Sequence, residues 1–191
     1  RRNPEQLDSI IRTINTLKED NNLTVLAVNI HGFASPEGRF DNNDRLAKER
    51  AHTLTQYVQR MAQLDEGTFT VSHTAADLFS VSHTAEDWDG LRKFVAESNI
   101  EHKQQILDIA NDTSIKEDER EAKIKAAFAD EYKFLLAVCY PALRHSDYHI
   151  QYKVRPFNVE EAKALVKTRP QLLSQNEMYM VAQTYEPGSK E

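Results

Sequence analysis

Arg50 is the residue whose type and position most demand a partner. It lies in HGFASPEGRFDNNDRLAKERAHTLTQYVQRM, residues 31–61, inside a helical stripe of Leu46, Ala47, Ala51, Leu54, Tyr57, Val58 and Met61. At about 100° per residue it falls in the middle of that stripe, between Leu46 and Leu54. A guanidinium does not lose its proton and is costly to bury without acceptors, so some oxygen must reach it. Two kinds of acceptor fit. One is internal: a carbonyl of the GFASPEG loop, or the carboxylate of Asp41 or Asp44. The other is a ligand carboxylate, which arginine grips with two parallel N–H donors. The loop favours an anion, because it follows a strand, precedes a helix N-terminus and carries Gly32 and Gly38, which permit a tight path with exposed backbone donors.

Other reactive side chains give weaker patterns. His73 and His83, with Asp77 and Asp87, have a spacing that matches no established zinc pattern. His145 and His149 share one face of a strand without an evident third ligand. The single cysteine, Cys139, sits in FLLAVCY and reads as a buried, inert thiol. There is no nucleophile elbow and no phosphate loop, and the carboxylates of residues 97–140 fit solvated helix faces. The expectation is a non-catalytic protein with no metal and no cofactor.

The elements that must position Arg50 follow from periodicity and caps. Asn3-Pro4 opens a helix with Leu7, Ile10, Ile11, Ile14 and Leu17 on one face. LTVLAVNI is apolar at both parities and predicts a central strand covered on both sides. A second helix is expected from about Asp44 to Met61, ended by DEG. TFTVSH and LFSVSH read as strands, and Thr84 with Asp87 caps a helix starting near Trp88, with Leu91 and Val95 on its face. The stretch from Glu97 to Tyr140 reads as two or more inserted helices closed by Pro141. Tyr148, Ile150, Tyr152 and Val154 alternate as a half-buried strand; NVEE at Asn158 and SQNE at Ser174 start two further helices, and Pro170 ends the first of them. Strands alternating with helices predict an α/β or α+β sandwich, a small mixed sheet with helices packed on it.

Composition narrows the partners. With 191 residues, 40% apolar and 28% charged, the chain forms one main domain and a short extension. A formal charge of −6 without a Lys/Arg cluster argues against nucleic acid and against an anionic membrane surface. No run of about 18 apolar residues exists, so no membrane insertion by this segment is expected. RRNPEQ is no signal peptide, and both ends read as cuts in a longer chain.

Gly32-Phe33-Ala34-Ser35-Pro36-Glu37-Gly38, then Asn43, Leu46-Ala47 and Arg50-Ala51, resembles the signature of the OmpA C-terminal-like family. Order, spacing and strand-loop-helix context agree over residues 5–65, and Arg144 with the strand from Tyr148 to Val154 looks like the family's closing Arg-rich strand. EDWDGLRKFV, YPALR and LLSQNEMYMVAQTYEPGS look similar to a subgroup of envelope proteins in which such a domain precedes helical repeats. The resemblance implies an OmpA-like βαβαβ-type fold over residues 1–157, with a helical insertion at 97–140, and a helical extension at 158–191. It also implies a place on the periplasmic face of the outer membrane of a Gram-negative bacterium, with envelope proteins as partners, and non-covalent binding of peptidoglycan through the diaminopimelate of the stem peptide. Carried onto this chain, the candidate peptidoglycan-binding residues are Ala34, Ser35, Asn43, Arg50 and Arg144. Ser35 stands where the family has Asp. Losing that acid removes a charge-assisted contact to the ligand ammonium, about 1.5–3 kcal/mol or about tenfold to a hundredfold in affinity. Glu37, two residues on, is the nearest substitute, and Pro36 stiffens the loop. The alternative is a retained fold with a degenerate site, acting as a protein-protein interaction or scaffold module in an envelope or surface-appendage assembly.

Overall fold

The computed structural model describes residues 3–19, 22–61, 78–186 and 188. Helix α1 (Asn3–Glu19) buries Ile10 and Ile14, as the periodicity requires. Strand β1 (Leu23–Phe33) is central, with the order β2-β1-β3. It runs parallel to β2 (Phe79–Thr84), with His31 opposite Ser82, and antiparallel to β3 (Ser146–Val154), with His31 opposite Asp147. A register shift between Val25 and Ala27 breaks the alternation and lets Val25 join Val28 and Ile30 in the core. Those three pack with Ile10 and Ile14 of α1 and with Ala51 and Val58 of α2 (Phe40–Met61).

The expectation that β1 is covered on both sides is corrected. Asn29 and His31, of opposite parity to Val28 and Ile30, are only half-buried, and His31 is hydrogen-bonded along the sheet to Ser82 Oγ (2.7 Å) and Thr84 Oγ1 (2.8 Å). Alternation in β3 is also weaker than read: Ile150 is half-buried, whereas Tyr152 and Val154 are 51% and 55% exposed on this edge strand. The fold is α+β, a small mixed sheet with helices packed on it. TFTVSH, and with it His73 and Asp77, lies outside the described residues, as does the DEG stop.

Between β2 and β3 stand α3 (Trp88–Glu97), α4 (Lys103–Asn111), α5 (Glu117–Ala127), α6 (Ala129–Phe134), a π-helical turn (Leu135–Cys139) and α7 (Tyr140–Leu143). Helix α3 is the one expected to start near Trp88, and the helices expected over 97–140 run on to Leu143. The helical block has its own core, with Leu91, Val95, Ile106, Ile124, Leu135 and Tyr140 sealed together. Two local expectations change. Asp87, not Thr84, caps α3, accepting from Gly90 N at 2.8 Å, and Pro141 lies within α7, in the last turn of a helical run that continues from α6 through the π-helical turn. Beyond β3, α8 (Val159–Thr168) and α9 (Gln175–Ala182) each begin with a capping box, Asn158 with Glu161 and Ser174 with Glu177. They share a small core of Ala162, Leu173 and Val181.

Candidate functional site

The end of β1 and the start of α2 set the position of Arg50. Gly32 belongs to the strand, where a side chain has no room: a Cβ there would stand 2.2 Å from the Ala47 carbonyl oxygen and 2.9 Å from the Ala51 nitrogen. This close approach of helix to strand brings Arg50 Nη1 to the Phe33 carbonyl oxygen at 2.9 Å. Gly38 serves differently, with φ at +88°, in the left-handed region that favours glycine. Helix α2 begins at Phe40 rather than Asp44, and its first amide is capped from the helical block, Phe40 N donating to Asp118 Oδ1 at 2.8 Å.

The first backbone donors of the loop are used internally. Phe33 N donates to His145 O at 2.9 Å and Ala34 N to Thr84 O at 3.3 Å, while Ala34 O accepts from Asp87 N at 2.8 Å. An anion at this helix N-terminus would meet the carboxylate of Asp118, which already holds the place.

Of the internal acceptors considered for Arg50, the loop carbonyl is the one used. Asp41 pairs with Arg39 at 2.8 Å, and Asp44 takes Lys48 at 2.6 Å and His83 at 2.8 Å. Those two donors, Lys48 first, hold the Asp44 carboxyl below the ordinary aspartate range. Arg50 is half-buried and, among the described residues, has no salt bridge. Burial, and then the charge of Arg144, make its protonated form less favourable than in an ordinary arginine.

Arg144 supplies the other half of the arrangement. It follows α7, and its guanidinium bonds the loop twice: Nε donates to Ser35 Oγ at 3.0 Å and Nη2 pairs with the Glu37 carboxylate. Arg50 and Arg144 line one cleft of about 570 Å³, with Leu46, Leu54 and Tyr57 of α2 and Leu7 and Ile10 of α1 as its apolar wall. Glu49 also borders it, but its carboxylate is bound to Arg45 at 2.7 Å. The result is Arg50, without a carboxylate partner among the described residues, and the Glu37-paired Arg144 beside an apolar wall and the polar side chains of Gln6, Thr53 and Ser146, a setting that can hold a carboxylate or phosphate joined to an apolar or neutral group.

The five sequence candidates separate. Arg50 and Arg144 meet at the cleft. Ala34 and Ser35 are 1% and 3% exposed and do not line it. Asn43 is 3% exposed and donates Nδ2 to Glu86 Oε1 at 2.9 Å, so it serves a buried partner and does not line the cleft. Glu86 Oε2 accepts from Trp88 Nε1 at 2.9 Å, and the Arg120 guanidinium lies 4.4 Å from the centre of the Trp88 ring. Burial raises the Glu86 pKa against the lowering effect of its two donors. Sequence reasoning missed Glu86 because an acid in AEDW reads as a solvated helix start. His83 and Asp87, once weighed as metal ligands, are bound to Asp44 and to the α3 N-terminus. His145 stacks on Phe33 with ring centres 4.4 Å apart, and His149 is exposed on β3. Cys139 is fully buried, which pushes its thiol up to about 12.

Comparison with known protein families, curated proteins and solved structures finds no match to this chain.

Proposed function

We propose that the chain is a non-catalytic OmpA-like envelope domain that associates with peptidoglycan by capturing the diaminopimelate carboxylate between Arg50 and Arg144, and so tethers an outer-membrane protein or assembly to the wall from the periplasmic side. The observation that carries the reading is the pairing of these two guanidiniums at one cleft, Arg50 without a carboxylate partner among the described residues. Like charges repel, and a bound carboxylate relieves that repulsion while satisfying donors of both groups.

A second reading, an OmpA-like fold without wall binding that serves as a scaffold module for envelope proteins, is favoured by a different observation. Ser35 and Glu37 are both engaged by Arg144, and Asp118 caps α2, so these two side chains and the helix start are held by partners within the chain. A calorimetric titration with a diaminopimelate-containing muropeptide separates the two. On the first reading the protein binds saturably, and Arg50→Ala or Arg144→Ala weakens binding by about tenfold or more, one charge-assisted contact each. Absence of binding up to about millimolar ligand, where the binding free energy is only about −4 kcal/mol, rejects the first reading and leaves the second.

A further inference from the structure

The cleft presents a ligand carboxylate with Arg50, which has no carboxylate partner among the described residues, and with the Glu37-paired Arg144, whereas a ligand ammonium meets no unpaired carboxylate there, only the neutral side chains of Gln6, Thr53 and Ser146. Each carboxylate beside it already has a cation, Glu37 bound to Arg144 and Glu49 to Arg45. Ser35 cannot stand in, because its Oγ already accepts from Arg144 Nε and the residue is 3% exposed. An ammonium placed next to the captured carboxylate would sit close to both guanidiniums, with like charge and without an unpaired carboxylate to offset it, which disfavours the charged form.

Acylation changes this balance. An amide nitrogen carries no charge, and its acyl carbons find apolar surface in Leu46, Leu54 and Tyr57 on the same wall. In wall chemistry the side-chain amine of diaminopimelate is free in an uncross-linked stem peptide, and it is an amide wherever a neighbouring stem has been joined to it. Resting on the wall-binding reading above, we propose that this cleft takes the acylated, cross-linked diaminopimelate in preference to the free zwitterion. The site would thereby report finished wall rather than newly inserted strands.

The test is a calorimetric titration of the whole protein with three synthetic probes. These are a diaminopimelate tripeptide with its side-chain amine free, the same tripeptide acetylated on that amine, and the acetylated tripeptide with the diaminopimelate carboxylate amidated. The acetylated probe is expected to bind more tightly than the free amine, and amidation of the carboxylate to cost about tenfold or more, the worth of a charge-assisted contact. Ser35→Asp, which adds an acid beside Arg144, should move the preference toward the free amine. Free-amine binding as tight as or tighter than acetylated binding, lost in Arg50→Ala, overturns the inference while leaving the wall reading intact. If neither tripeptide binds, both fall.

Discussion

Replacing Asn43 by alanine removes one of the two donors to a buried carboxylate. Glu86 is 5% exposed, with Asn43 Nδ2 on one oxygen and Trp88 Nε1 on the other, each at 2.9 Å. The variant leaves Oε1 sealed and without its donor. A hydrogen bond to a charged group is worth about 1.5–3 kcal/mol, and in a chain of this size that lowers Tm by about 3–12 °C. The deficit depends on pH in a defined direction. Burial raises the folded-state pKa of Glu86, so the stability linked to its neutral form is present below the ordinary glutamate pKa and is lost as pH rises through the raised value. Removing Asn43 raises that pKa further. At about pH 4, where Glu86 is neutral, the deficit should shrink to about 0.5–1.5 kcal/mol, the worth of a neutral bond. Urea unfolding followed by the fluorescence of Trp88, the chain's single tryptophan, measures both values. Equal deficits at about pH 4 and pH 8, or less than about 0.5 kcal/mol at both, would refute the reasoning. A stable variant that had lost muropeptide binding would return Asn43 to a ligand-binding role.

Three further outcomes follow from named contacts. Gly32→Ala should cost about 1–3 kcal/mol, because the new methyl would stand 2.2 Å from the Ala47 carbonyl oxygen and α2 must move; a variant that melts with the parent would show that the helix yields freely. Glu177→Ala removes the carboxylate that accepts from Phe157 N, Ser174 N and Ser174 Oγ, each at 2.7 Å, and should cost about 3 kcal/mol, with faster hydrogen exchange at the Phe157 and Ser174 amides. The bonds from Ser174, then that from Phe157, lower the Glu177 pKa, so this stabilisation is present above the ordinary glutamate pKa and fades as pH falls through the depressed one; protection factors at these amides that stay the same from about pH 7 to pH 3 would contradict it. His102 is bound to Glu131, which raises the imidazole pKa, so its contribution is present below the ordinary histidine value and is lost as pH rises through the raised one. His102→Ala should therefore lower Tm more at about pH 6 than at about pH 9, where only its ring contact with Phe128 and a neutral hydrogen bond are lost, and a shift of the same size at both would sink the assignment.

How far each feature was legible depended on the distance along the chain over which it is specified. The stripes of α1 and α2, the capping boxes at Asn158 and Ser174 and the turn at Gly38 were all readable, because helix periodicity and caps are written within a few residues. Arg50 could be singled out for the same reason, since a cation in an apolar stripe is a local contradiction. The start of α2 was read four residues late because its cap, Asp118, comes from a helix 78 positions away. Coverage of β1 was overread because its bulge places Val25 with Val28 and Ile30, so apolar residues at both parities still serve one face.

By itself the sequence determined the α+β class, the long helical block, the strand-loop-helix corner and the need of Arg50 for an acceptor. The tertiary structure alone decided which acceptor that was, that Ser35 faces Arg144 across 109 positions, and that Asn43 serves Glu86 across 43. The physical reason is that a charged or polar side chain declares in its chemistry that it must be paired, while the identity of the partner depends on which distant segments the packed core brings within about 3 Å.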